Sequence, residues 1–200
     1  MKIRREKPNL TFDGAPTVRQ LEQELEREQN KSFCGRILFR TVCTLVTVAA
    51  ATILMATLFL PVLQIYGNSM LPVLNQGDIV VAVKSRNFQT GDIISFQCNN
   101  QILVKRVIAR AGQWVNIDSD GNVYVDNTLL DEPYLTEKAL GECDITLPYQ
   151  VPDGKLFVMG DHRATSIDSR SSSVGCVEQE QIIGKLILCV WPFNNFGLIK

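Results

Sequence analysis

Ser69, in the run GNSMLP at 67–72, is the candidate nucleophile, and its chemistry depends on finding a base to take its proton. The usual base is histidine, and the chain holds one, His162. The nucleophile-elbow pattern G-x-S-x-G is missing, since Leu71 stands in its last place, so a Ser-His-Asp triad would rest on His162 alone. Lysine is the other available base, and it works only when neutral. At an ordinary pKa of ~10.4 about one lysine in two thousand is neutral at pH 7, and moving that pKa to ~8 takes ~3 kcal/mol of differential stabilisation. Burial or a neighbouring cation supplies it.

The run ILVKRVIAR at 102–110 meets that requirement if it is a strand. With a period of two, Lys105 shares a face with Leu103, Val107 and Ala109, while Arg106 and Arg110 point the other way. Lys105 is therefore the lysine expected to be desolvated. The plain structural readings are a lysine that snorkels off a strand end and a serine that only makes a turn after glycine.

The elements that must carry these residues can be read from composition and patterning. The chain has 200 residues, enough for one domain and accessories. Residues 1–40 hold nine Lys/Arg and six Asp/Glu; residues 66–200 hold eleven and fifteen. No basic stripe with interleaved aromatics appears in the second part, which sets nucleic-acid binding aside. Residues 1–16 are polar, punctuated by Pro8, Gly14 and Pro16, and read as mobile. A short polar helix is expected from Thr17 to about Asn30, with Gln20 completing a capping box and an apolar stripe of only Val18, Leu21 and Leu25.

Residues 41–65 carry no charge, and as a helix they reach ~37 Å, enough to cross a ~30 Å hydrocarbon layer with tilt. One transmembrane helix is expected there. Lys31, Arg36 and Arg40 flank its start and no basic residue comes after it until Lys84, so the N-terminus is expected in the cytoplasm and residues 66–200 outside. The small residues Ala49, Ala50 and Ala51 raise a cleaved signal peptide as an alternative, which the long basic lead and the apolar remnant 52–63 argue against.

After Pro72 the pattern turns to short β-branched runs: 78–83, 92–97, 102–110, 114–117, 122–125, 156–159 and 182–191. The expected fold is a mostly β domain behind one transmembrane helix. DSDGN at 118–122 reads as a hairpin turn, and 126–154 as a long irregular loop. Gly77, Gly91 and Gly160 precede aspartates in three GD pairs that read as turns. Trp114, Trp191 and Phe193 read equally as core or as membrane-interface aromatics. Six cysteines without C-x-x-C spacing and a single histidine argue against a zinc site, and no metal or other cofactor is expected. The pairing of Cys98, Cys143, Cys176 and Cys189 stays open.

Several of these runs together resemble the membrane-bound type I signal peptidases, serine proteases with a Ser/Lys dyad. GNSMLP resembles the nucleophile motif with Ser69 at the nucleophile, and GDIVVAVK the next box along the chain. KRVIARAG resembles the base motif with Lys105 at the general base. GNVYVDNTLLDEPYL resembles the intervening hairpin and loop, and MGDHRATSIDSR the last box. In that box Ser166 matches a serine that orients the lysine, and Asp168 and Arg170 match a supporting ion pair.

The resemblance implies cleavage of signal peptides from exported preproteins, with A-x-A sites bound as an added strand and membrane lipid as the setting. Met70 and Pro72, flanking the nucleophile, are then candidate pocket residues. Gly67 stands where some members carry an oxyanion serine, so only backbone donors are expected. His162 stands where asparagine is more usual and reads as a structural loop residue. Three alternatives remain on sequence grounds: a peptidase dedicated to one substrate class such as pilins, a repressor-type autoprotease, and a non-catalytic membrane scaffold of the same fold. The anchor and the absence of a DNA-binding segment argue against the repressor.

Overall fold

The computed structural model describes residues 18–199. The expected mobile segment 1–16 and the helix start at Thr17 lie outside the described residues. Helix α1 runs without a break over Val18–Phe59, so the polar helix and the apolar span expected as two pieces are one. Between them only Gly35 is a poor helix former, and a glycine costs about 1 kcal/mol relative to alanine, too little to interrupt so long an element. Within α1, Gly35–Met55 is long and apolar enough to cross a membrane. Thr41, Thr44 and Thr52 donate their hydroxyls to the carbonyls of Ile37, Arg40 and Val48, one turn back, which satisfies polar atoms that lipid could not.

The helix ends at Phe59, not at Ile65 as the charge-free run suggested. Leu60 precedes a proline, which disfavours the helical region, and Pro61 has no N–H for the helical ladder. Strand β1, Val62–Gln64, begins directly after that proline. Val62 and Gln64 face out and Leu63 and Ile65 face in, a period of two hidden at the tail of an apolar stretch.

The chain divides after Ile53 into two compact units, and among the described residues every strand belongs to the second. Its further strands are β2 (Ile79–Val83), β3 (Ile93–Cys98), β4 (Gln101–Arg110), β5 (Trp114–Ile117), β6 (Val123–Val125), β7 (Thr128–Leu129), β8 (Tyr149–Gln150), β9 (Lys155–Met159), β10 (Val177–Glu178), β11 (Ile182–Trp191) and β12 (Gly197–Leu198). The seven β-branched runs are all strands. The additional β7, β8, β10 and β12 are two residues each, too short to leave a periodicity.

Two antiparallel sheets result. The larger has the order β1-β2-β11-β3-β4-β9-β10 with β12 added to β11; the smaller has β7-β6-β5-β8. One core, with Ile65, Met70, Leu74, Val80 and Leu186, lies under β1, β2 and β11. Another, with Ile108, Ala109, Val115, Val123 and Phe157, joins the two sheets. β4 changes partner midway: residues 101–106 pair with β3, and from Arg106 onward the strand pairs with β9. The first half of β4 thus keeps one edge unpaired by any described strand, and so does β1, which pairs only with β2. Cys98, Cys143, Cys176 and Cys189 are free thiols.

Candidate active site

Ser69 sits on a turn that leaves β1. Leu71 N–H donates to Asn68 O at 3.2 Å and Leu74 N–H to Met70 O at 2.9 Å, which closes the backbone around the serine. Met70, 2 % exposed, drives into the first core, and burying a side chain of that size is worth ~1.5–3 kcal/mol, enough to pin the turn. From the other side His162 N–H donates to Ser69 O at 3.0 Å. The serine is half-buried, and Gly67, two residues earlier, has φ +85°, a region where a side chain is strained.

Lys105 lies on β4 at the last position before β9 becomes its partner. It is 3 % exposed. Burial lowers its pKa from 10.5 to about 8; Asp168 opposes that shift, Arg170 adds to it, and Asp161 opposes it. Ser69 and Lys105 line the same cleft, of about 570 Å³, together with Leu63, Tyr66, Ile102 and Val104. The cleft runs between β1 and the unpaired first half of β4. Among the described residues no hydrogen bond joins Ser69 Oγ to Lys105 Nζ.

Ser166 is 2 % exposed, and its hydroxyl is the one buried side-chain polar atom among the described residues without a hydrogen-bond partner. It packs on Gly160, where a Cβ would fall 2.2 Å from Ser166 Oγ and 2.6 Å from Ser69 O. Gly160 is thus a point of close approach and not the turn its GD pair suggested. Asp168 and Arg170 form a fully buried two-pronged pair, with Nε to Oδ1 and Nη2 to Oδ2 both at 2.8 Å. Asp168 Oδ2 also accepts from Gly160 N–H at 2.9 Å, and Arg170 reaches the carbonyls of Leu140, Arg163 and Ser166. Of the two flanking residues, Met70 lines the cleft, whereas Pro72 is exposed and does not. His162 spends its ring on Thr165 Oγ1.

Two further ion pairs left no mark in the sequence pattern. Arg106, 1 % exposed, grips Asp161 through Nε at 2.9 Å and Nη2 at 2.7 Å. Arg163, also 1 % exposed, pairs with Glu132 from the long loop. Strand alternation put Arg106 on the face opposite Lys105, which reads as solvent; in fact both faces of β4 are covered there. The available signal was Val107-Ile108-Ala109, apolar at both parities, as in strands buried on two sides. A β-bulge between Val107 and Ala109 sends these two to different cores.

A buried lysine with a lowered pKa and a half-buried serine lining one cleft are the two groups that acyl transfer by a serine and a lysine base requires. The family model described as "Signal peptidase, peptidase S26" matches residues 38–191. Signal peptidase I of Bacillus amyloliquefaciens is 32% identical over 169 residues, covering 78% of this chain and 86% of its own. Signal peptidase IB of Staphylococcus aureus (strain COL) is 35% identical over 153 residues, covering 66% and 78%. A crystal structure of a signal peptidase I from Enterococcus faecalis V583 aligns at 31% identity over 50% of this chain and 97% of that one, with a TM-score of 0.41.

Proposed function

The chain belongs to the signal peptidase family, peptidase S26, and cleaves signal peptides as a serine protease; from that premise we propose that Ser69 is its nucleophile and Lys105 its general base. The observation that carries the proposal is the pairing of a desolvated lysine and a turn serine in one cleft. Neutral Lys105 takes the proton of the Ser69 hydroxyl, and Oγ attacks the scissile carbonyl of the preprotein. The Ser69 N–H, which donates to no acceptor among the described residues, is free to hold the oxyanion, and Gly67 offers no hydroxyl to help it. Collapse expels the mature amino terminus, whose nitrogen takes the proton held by Lys105, and neutral Lys105 then deprotonates the water that releases the signal peptide from the acyl-enzyme. The unpartnered Ser166 hydroxyl is the group available to orient the lysine, and the Asp168–Arg170 pair holds the segment that carries it. Met70 contributes to the wall of the cleft.

The substrate enters extended. Two unpaired edges, β1 and residues 101–105 of β4, face the cleft, so a preprotein segment hydrogen-bonds as an added strand beside them. Alternate side chains then point at the cleft wall, consistent with A-x-A sites, where two small residues are spaced by one.

The anchor is the span within α1, with the N-terminus in the cytoplasm and the β-rich unit outside, which is what the basic residues before the span support. A row of directly opposed apolar residues, Val62, Val81, Leu188 and Leu198, crosses four strands on the outer face of the larger sheet. Val62 and Leu198 are exposed, as are Trp191 and Phe193, which contact edge to face. Such a surface suits the interface of a bilayer.

The test is a pH profile of preprotein cleavage combined with active-site labelling. Lys105 acts only when neutral, so kcat/KM should climb about tenfold per pH unit below its pKa of about 8 and level off above it. A penem-type acylator should label Ser69, and labelling should fade at acid pH with the same midpoint. A profile that peaks below neutrality and is abolished by His162→Ala would transfer the role of base to the histidine.

A further inference from the structure

Glu132 and Tyr134 lie in the loop between β7 and β8, at no point in the cleft that holds Ser69 and Lys105. Loop carboxylates ordinarily stay in water, and glutamate is almost never buried without a partner. Glu132 is nevertheless 6 % exposed. Its carboxylate accepts from both Nη atoms of Arg163 and from the Tyr134 hydroxyl, the last at 2.9 Å. Arg163 turns its third nitrogen, Nε, to donate to Gly160 O at 3.1 Å. Gly160 is where the Ser69 carbonyl and Ser166 meet, and the next residue but one, His162, donates its N–H to that same carbonyl.

Tyr134 acts on the other half of the site. Its ring lies over the Arg106 guanidinium at 3.8 Å, a cation–π contact in a dry setting. Arg106 directly follows Lys105 on β4, and its guanidinium, covered on one face by that ring, donates from its edge to the Asp161 carboxylate, while Nη1 donates to Gly91 O at 2.8 Å. One loop residue therefore braces the segment under the serine, its neighbour but one braces the strand beside the lysine, and a hydrogen bond ties the two together.

We propose that Glu132 and Tyr134 are positioning residues for signal-peptide cleavage, acting through Arg163 on the Ser69 turn and through Arg106 on the Lys105 strand. This rests on the Ser69/Lys105 reading. Their effect is geometric: the charges that bear on Lys105 are those of Asp168, Arg170 and Asp161, and Glu132 and Arg163 are not among them.

The experiment compares the full-length protein with Glu132→Leu/Arg163→Met, Tyr134→Phe, Tyr134→Leu and Ser69→Ala, all in detergent with one preprotein carrying an A-x-A site. The double variant removes both buried charges together, so no unpaired ion is left to unfold the chain, and its thermal midpoint is measured first. Displacement of reacting atoms by ~1 Å costs ~100-fold in rate, so its kcat should fall by up to about 100-fold while KM and the midpoint of the pH profile stay in place. Tyr134→Leu should lose more kcat than Tyr134→Phe, which keeps the ring over Arg106. A folded double variant with wild-type kcat, or a loss accompanied by a shifted pH midpoint, overturns the proposal. Wild-type cleavage by Ser69→Ala would instead overturn the dyad itself, so the two failures are distinct.

Discussion

Ser69→Ala and Lys105→Ala are each expected to lower the rate of preprotein cleavage by ~10⁴-fold or more, and the double variant no further than either alone, because a nucleophile and its base act as one unit. His162 is not among the residues that line the cleft with Ser69 and Lys105. Its Nδ1 is engaged with Thr165 Oγ1, and its contribution to the site is a backbone N–H that His162→Ala retains. That variant should keep most of its activity and the alkaline rise. Lys105 should also reveal itself in stability. Its pKa is about 8 folded against 10.5 for an unburied lysine, so the charged form is disfavoured in the fold by ~3 kcal/mol. The folded pKa is the lower one, so the unfolded chain binds the extra proton between these values. The penalty is fully present below pH 8, shrinks between 8 and 10.5, and is gone above. Lys105→Met should therefore be inactive and yet more resistant to urea at pH 7, with its advantage over wild type vanishing toward pH 10.5. Unchanged cleavage by either alanine variant would remove the dyad from the mechanism.

The two residues proposed as a dyad could be singled out because each left a local mark: a serine after glycine at the close of an apolar run, and a lysine at apolar parity within a β-branched strand, where the structure buries it. The buried ion pairs could not. Arg106 and Asp161 are 55 positions apart, and Arg163 and Glu132 are 31 apart. A charge in sequence reads as solvated, and these charges become internal only where the loops that carry Glu132, Tyr134, Asp161 and Arg163 close on β4 and on one another. Composition likewise placed residues 62–65 in the membrane helix, since a strand buried on one side and an apolar helix tail look alike over four residues. Pro61 was the discriminating residue. The seven longer strands were readable from periodicity, but their order was not, because β11 reaches its places between β2 and β3 through pairings more than eighty residues distant.

Gly160→Ala is expected to reduce kcat by about 100-fold while leaving the protein folded. The added Cβ would fall 2.2 Å from Ser166 Oγ, 2.6 Å from Ser166 Cβ and 2.6 Å from Ser69 O, against the 3.4 Å at which ordinary contact begins. The hydroxyl can rotate away, but the other two atoms cannot yield alone. The Ser69 carbonyl is held by His162 N–H, and the Ser166 carbonyl accepts from Arg170 Nη2 at 3.2 Å. The Ser69 turn must therefore retreat by roughly 0.8 Å, on the order of the displacement that costs two decades in an oriented reaction. Overpacking of this kind costs ~1–3 kcal/mol, which a domain of this size tolerates. The matched control is Gly197→Ala, where nothing lies within 4 Å of the new Cβ and φ is not positive, so activity and thermal midpoint should both stay at wild type. If Gly160→Ala cleaves as fast as Gly197→Ala, the contact among Gly160, Ser166 and the Ser69 carbonyl does not set the geometry of the nucleophile. If it loses kcat and the acylation of Ser69 slows in proportion, the missing methyl group is what lets the last sequence box close on the first.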